Sequence, residues 1–376
     1  MTENSPDVIV IGGGIAGVSA AAELARDARV TVLEAEPQTG YHATGRSAAI
    51  YIRNYGNAVL RAINIVSEPT LTTPGDICGH SLLSPRGELL TASDDEMPAL
   101  EAYANGSVGL ERLTGAEAAQ LVPILRPERI TAAIYEGAAQ SIDVDLMLQG
   151  YLRLLKARGG SVITKAQVTE IRRADGLWHV TAGDHQLSAP IVINAAGAWA
   201  DHVASLAGTH LMGLQPRRRS AAIVPLGPEH DVSNWPLFGS VSETWYAKPE
   251  GGKLMVSPAD EDPVDPHDAW PDDMVLAEGL DRYERAVTVP VTRIERSWAG
   301  LRTFAPDRTP VVGYADDCDG FFWLAGQGGY GVQTAPALSQ LTAALITGRA
   351  PALAPEIIAA MAPQRFSSTN KGVDQR

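Results

Sequence analysis

The feature that most constrains this chain lies in its first 34 residues. Asp7-Val8-Ile9-Val10-Ile11 is a short, β-branched apolar run. That is the pattern of a strand buried on both faces of a parallel sheet. The run breaks at Gly12-Gly13-Gly14-Ile15-Ala16-Gly17, and the Ala-rich stretch Val18 to Ala25 follows with strong helix propensity. A second apolar run, Val30 to Leu33, ends on Glu34. Strand, glycine turn, helix, strand and acid form a complete βαβ unit. In Gly12-x-Gly14-x-x-Gly17 the first glycine permits the tight turn. The second lets a pyrophosphate approach the backbone, and the third lets helix and strand pack closely. The helix start offers free N–H groups and a positive dipole end to phosphates. Glu34, 22 residues after Gly12, sits where a carboxylate accepts the ribose hydroxyls of a dinucleotide.

Three further observations select FAD over NAD. The fingerprint stands near the beginning of the sequence, and it occurs once. A separate glycine turn, Gly326 to Gly331, follows the apolar run Phe321 to Leu324 and enters an Ala/Leu-rich helix ending near Gly348. A helix start aimed at the flavin would stabilise the anionic reduced ring through its dipole. The run Gly40 to Ala49 is crowded with small and hydroxyl residues, too irregular for helix or strand. It suits a segment lying along the cofactor with its backbone N–H groups offered to it.

Composition excludes several classes. Thirty Lys plus Arg against 44 Asp plus Glu leave a net charge of −14, which disfavours nucleic acid and anionic lipid surfaces. Two cysteines, Cys78 and Cys318, form no CxxC pair, so a zinc ribbon or disulfide scaffold is not expected, and no metal site is. No apolar run reaches the ~18 residues of a membrane span. Met1 to Pro6 lacks a basic leader, and a cytoplasmic location is expected. Ser141 to Gly159 is expected to form a helix capped by Ser141 or Asp143. Strands are expected at 161–164, 167–172, 178–181, 191–194, 214–226, 245–256 and 293–303. The Pro-rich segment Asp260 to Asp273, with seven acidic residues, is expected to be a solvated loop. The polar tail after Gln364 is expected to fray.

The fingerprint with Glu34, Thr44-Gly45-Arg46-Ser47-Ala48-Ala49, Val192-Ile193-Asn194-Ala195-Ala196-Gly197-Ala198-Trp199, Trp298-Ala299-Gly300-Leu301-Arg302 and Gln327-Gly328-Gly329-Tyr330-Gly331 resemble the D-amino-acid oxidase family of flavoproteins. The likeness runs from about Asp7 to Gly348, and within the family it is greatest to the D-arginine dehydrogenases. It implies an α/β fold with a Rossmann-like FAD domain assembled from separated segments, 1–75, 141–213 and 300–376. A substrate domain with a mixed or antiparallel sheet would comprise 76–140 and 214–299. It also implies hydride transfer from the Cα–H of a small-molecule substrate, a basic or hydrophobic D-amino acid, to flavin N5, giving an imino acid that hydrolyses to a 2-oxo acid and ammonia. No motif specifies whether the electrons pass to a quinone, another carrier or O2. Secondary-amine or glycine oxidation, 2-hydroxy-acid oxidation and a flavin-free binding role are the alternatives.

Carried over by position, Arg302 and Tyr246 would hold the substrate carboxylate, and Arg219, in the run Arg217-Arg218-Arg219, would be a further active-site arginine. Tyr55 would sit on a mobile loop over the substrate, and the Gly329 carbonyl near its amine. Glu88 would receive a cationic side chain, with a surface ion pair to Arg86 as the competing role. Ile50 stands where the D-arginine dehydrogenases have a histidine that could hydrogen-bond the substrate. The expected cofactor contacts are Gly12, Gly14, Ala16, Gly17, Glu34 and Ala35; Ala43, Thr44, Gly45, Arg46, Ser47 and Ala48; Val168, its backbone meeting the adenine; Gly197; and Gly328, Gly329, Tyr330, Gly331, Val332 and Gln333. With no cysteine near 298–304, the flavin is expected to be noncovalent.

Overall fold

The computed structural model describes residues 5–367. The expectations for Met1 to Asn4 and for the end of the tail lie outside the described residues. The first strand, Val8–Ile11, is central to a six-stranded sheet ordered Val311–Tyr314, Phe321–Ala325, Ile191–Asn194, Val8–Ile11, Val30–Leu33, Ser161–Ile163. All pairings are parallel except the outermost one at Val311–Tyr314. Alternation divides the core in two. Val8 and Val10 face a helical layer, and Ile9 and Ile11 face the opposite side. The helical layer comprises Ile15–Leu24, Val144–Ala157 and Gly331–Thr347. The other face is covered by an antiparallel meander, Val168–Ala174, Leu177–Ala182 and His185–Ala189, with Trp178 fully buried.

Local signals account for the helix ends. Asp143 Oδ1, rather than Ser141, accepts the Leu146 N–H at 2.9 Å and starts the helix. Gly348 closes the helix Gly331–Thr347 in the left-handed conformation. Two details differ from the expected elements. Ser161–Ile163 joins the parallel sheet as its partly exposed edge. His185–Ala189 was not anticipated, because its polar residues lie on an exposed hairpin.

A nine-stranded mixed sheet forms the second layer system. Its order is Gln327–Gly328, Arg296–Phe304, Gln215–Val224, Lys253–Ser257, Tyr246–Glu250, Leu237–Ser240, Glu88–Ala92, Ala132–Glu136, Glu111–Leu113. One pairing, Leu237–Ser240 with Glu88–Ala92, is parallel. The strand Arg296–Phe304 runs unbroken across the boundary expected at 300. The helix Asp273–Ala286 packs on this sheet through Leu276, Leu280 and Tyr283. Among the described residues no helix is long and apolar enough to cross a membrane.

Candidate active site

Gly12 turns the chain off the first strand at φ +113°, and a Cβ there would lie 2.3 Å from the Ala195 carbonyl oxygen. A Cβ at Gly17 would lie 2.0 Å from the Gly12 oxygen, so strand and helix meet backbone to backbone. Thr44 Oγ1 accepts the Ile15 N–H at 3.0 Å and draws the irregular run across the helix start. Glu34 is buried. Its Oε2 accepts the Gly13 N–H at 2.7 Å and its Oε1 the Glu36 N–H at 2.8 Å. Burial raises its pKa, with those two N–H groups pulling the other way.

These elements edge a cavity of about 550 Å3. Gly12, Gly14, Ala16, Glu34, Ala35, Ala43, Thr44, Arg46, Val168, Gly197, Gly328 and Gly331 line it. Ser47, Ala48, Gly329 and Val332 instead line two smaller adjoining cavities. Gly17, Gly45 and Tyr330 line none of them, and their work is packing. Gly45 closes a turn on the Gly40 carbonyl, and the Tyr330 ring packs tilted against Tyr55, centroids 4.6 Å apart. Gln333 is an anchor: its Oε1 accepts the Ile52 N–H and its Nε2 donates to Asn64. The large cavity fits an extended dinucleotide. Its wall is glycine, alanine and backbone at a helix start, and Gln327, which lines it, buries an Nε2 with no hydrogen-bond partner.

Beyond a small intervening cavity that overlaps both lies a chamber of different chemistry, lined by Ile50, Tyr55, Glu88, Arg219, Tyr246, Arg302 and Gly329. Arg302 comes from the strand Arg296–Phe304. The Gly329 backbone lies against its guanidinium, where a Cβ would meet Cζ at 2.9 Å. Arg302 Nη1 donates to the Tyr55 hydroxyl at 3.5 Å, its one hydrogen bond among the described residues. Arg219, on the neighbouring strand, donates from Nη2 to Glu261 at 3.0 Å while its Nε is buried without a partner. Burial pushes the Tyr246 phenol up. The Arg302 and Arg219 guanidiniums and side-chain hydrogen bonds with Ser257 and Arg219 outweigh burial, so it falls below its ordinary value. The Tyr55 phenol is pushed up, chiefly by burial.

Glu88 is 6% exposed and accepts the Tyr103 hydroxyl at 2.9 Å. Burial first, then the Glu136 and Glu243 carboxylates, push its pKa up to about 8 against that hydrogen bond. Arg86 turns away to Ser141 and to the Ser233 and Trp235 carbonyls, so it is not the partner of Glu88. Ile50 lines the chamber with Leu90, Leu237, Val241 and Val332. The Tyr55 segment, expected to be mobile, is tied down in this structure. Asn64 Nδ2 donates to the Ile52, Arg53 and Tyr55 carbonyls.

The acidic segment is not simply solvated. Asp260 is buried and accepts from the Ser220 N–H at 2.6 Å, its hydroxyl at 2.8 Å and Arg218 at 3.2 Å. Glu261 bridges Arg219 and Arg308, and Asp268 pairs with Arg46. The physical reason is the run Arg217 to Arg219. Three consecutive guanidiniums on one strand require counter-charges, and the segment crosses that strand through backbone bonds at Arg218 and Val264. Tyr103, Glu136, Glu243 and Glu261 are the polar groups at this site that sequence patterning misses. Each stands in an ordinary surface-like stretch and meets the others only on folding. Cys78 and Cys318 line none of the three cavities.

The family model described as FAD dependent oxidoreductase (DAO) matches residues 7–345. A curated relative, FAD-dependent oxidoreductase domain-containing protein 1 of Bos taurus, is 24% identical over 408 aligned positions, covering 90% of this chain and 81% of its own. L-proline dehydrogenase from P. horikoshii has a similar fold, with a TM-score of 0.82 at 22% identity over 97% of this chain and 99% of that one. So does glycine oxidase from Geobacillus kaustophilus, with a TM-score of 0.81 at 21% identity over 94% and 98%. At such identities the likeness is one of fold.

Proposed function

Because the chain belongs to the DAO family of FAD-dependent oxidoreductases, we propose that it oxidises the Cα–N bond of a D-amino acid, by preference one with a basic side chain. The product is an imino acid that hydrolyses to a 2-oxo acid and ammonia. The cofactor is FAD, which when bound supplies the two-electron acceptor for the hydride leaving Cα. The residues assigned to hold it are those of the large cavity, from Glu34 and Val168 past the helix start to Gly328. We assign 1–75, 141–213 and 300–376 to the cofactor unit and the remainder to the substrate unit.

One observation carries this reading: Arg302, free of a carboxylate partner among the described residues, and buried Glu88 line one chamber. A guanidinium with an open fork takes a carboxylate bidentately and cannot lose its charge. Arg302 is assigned that role, with Arg219 and the Tyr246 hydroxyl completing the carboxylate's donors. The Tyr55 ring, packed tilted against Tyr330, is assigned to shield this end from water. The Gly329 carbonyl is assigned to the amine, which passes its proton to solvent. Glu88 at the far end favours a guanidinium or ammonium and rejects an anionic side chain.

A second reading has its own support. Ile50 and the aliphatic wall beside it suit a substrate with no distal charge, and the two structural relatives are named for proline and glycine. Anaerobic mixing of the yellow protein with single D- and L-amino acids, sarcosine and 2-hydroxyglutarate, followed by flavin absorbance, separates the two. Bleaching by D-arginine or D-lysine with their L-forms inert is the expected result. Bleaching by sarcosine or L-proline alone would replace the first reading with the second.

A further inference from the structure

Glu88 and Glu136 stand directly opposite each other on antiparallel strands. Residues so paired share a face, with Cβ atoms roughly 4.5–5.5 Å apart. Both are buried, at 6% and 2% exposure. Two carboxylates this close in a desolvated site do not both ionise freely. Their partners differ. Glu136 Oε1 accepts the Arg53 N–H at 3.0 Å and its Oε2 accepts from Asn54 Nδ2 at 2.7 Å. Glu88 accepts the Tyr103 hydroxyl. Two N–H donors against one phenol place the anion on Glu136. Those donors belong to the two residues immediately before Tyr55. Asn54 is locked in turn to Val108, accepting its N–H and donating to its carbonyl at 2.9 Å each.

We propose that Glu136 is a positioning residue: it holds the fixed negative charge of the pair, ties the Tyr55 segment over the chamber, and leaves Glu88 protonated until an arriving cation displaces that proton to solvent. The other groups facing the pair act in the same sense. Burial raises the Glu136 carboxyl, and the Asn54 and Arg53 donors and then Arg61, from the helix Ala58–Thr72, pull it back toward the ionised form. Glu243, from the hairpin after Ser240, disfavours an ionised Glu88. The Tyr51 and Tyr103 phenols stay protonated, each pushed up chiefly by burial. The proton balance closes: the Glu88 carboxylic acid loses one proton to buffer as one cationic side chain enters. An apolar side chain displaces none. The displacement rests on the basic-substrate reading above; the division of charge between the two glutamates does not.

The test uses the FAD-loaded protein. Infrared difference spectra should show a protonated carboxyl band at about pH 6 that disappears as pH rises past about 8, the upper range for a buried glutamate. Glu88→Gln should remove the band, and Glu136→Gln should shift its disappearance at least one pH unit lower. A band absent from the wild type, or titrating identically in Glu136→Gln, overturns the proposal. Should Glu136→Gln not fold, Asn54→Ala removes one donor from Glu136, along with the bonds to Val108, and touches no donor of Glu88. It should weaken the Glu88 band, and an unchanged band again overturns the proposal. Calorimetry in buffers of different ionisation enthalpy then compares 5-guanidinopentanoate with hexanoate, neither of which has an oxidisable amine. About one proton released by the first below the Glu88 titration, and none by the second, is expected. If 5-guanidinopentanoate does not bind while the band behaves as stated, the basic-substrate reading fails and the charge division stands.

Discussion

The large cavity and the chamber, joined through a small cavity that shares residues with each, are made of different matter. The cavity is rich in glycine and alanine, fifteen of the residues that line it. Much of it comes from one continuous stretch, the first strand to Arg46. The chamber sets charged and phenolic side chains, from widely separated strands and a helix, against an aliphatic wall. The first is defined by what must be absent, since an added Cβ at Gly12 or Gly17 would meet a carbonyl oxygen. The second is defined by which charges have partners and which do not. Steric damage should therefore empty the cavity, and charge changes should re-tune the chamber while flavin stays bound.

Gly12→Ala tests the contrast most severely. It forces a side chain into a positive-φ position against Ala195, a cost of at least ~3 kcal/mol. The purified protein is expected to be colourless, and a normal flavin-to-protein absorbance ratio would refute the steric account. Arg302→Met should retain its yellow colour and lose about 100- to 1000-fold in kcat/KM for amino acids. That corresponds to ~3–4 kcal/mol, within the range of a broken buried charge pair. Flavin loss in this variant would blur the division between the two sites.

Glu88→Gln should cost D-arginine and D-lysine about 10- to 100-fold in kcat/KM and leave D-methionine within about threefold, as expected for a charge-assisted contact worth ~1.5–3 kcal/mol. Equal losses for all substrates would remove Glu88 from side-chain recognition. The pH dependence has a definite sign. The folded-state pKa of Glu88 is raised to about 8, so the native state holds a proton that the unfolded chain releases near 4.5. Stability of the substrate-free protein should therefore fall as pH climbs between those values, by up to a few kcal/mol, and level off above. Thermal melts should show that slope in the wild type and lack it in Glu88→Gln.

The smallest effect is expected where the acidic segment meets the cofactor unit. Asp268 is partly exposed and pairs with Arg46, which also donates to the Ala269 and Ala299 carbonyls. Asp268→Asn should speed FAD dissociation only about two- to fivefold, the ~0.5–1 kcal/mol of a screened pair, with kcat unchanged. A release rate identical to wild type would show that the segment does not restrain the cofactor.

The glycine fingerprint, its helix and Glu34 were readable because each requirement is local. A tight turn, a helix start and a close backbone approach all act within a few residues. The family resemblance extended that reading to Arg302, Tyr246, Arg219, Tyr55 and Glu88, which the fold brings to one chamber. Asp260 and Glu261 were misread because seven acids among prolines resemble a solvated loop. Their partners Ser220, Arg218, Arg219 and Arg308 lie far away in sequence. Glu136 gave no signal at all: its importance comes from the register that sets it opposite Glu88.

By itself, then, the sequence determined a βαβ start with a dinucleotide cradle, a flavin-type second glycine turn, and the absence of any long apolar run. These follow from backbone sterics and periodicity, which neighbouring residues decide among themselves. Only the tertiary structure decided which arginine is left without a carboxylate, which of two buried glutamates is better supplied with donors, and what fastens the Tyr55 segment. Those are questions of partnership between residues tens to hundreds of positions apart. Burial makes each partnership count, and strand register alone assigns it.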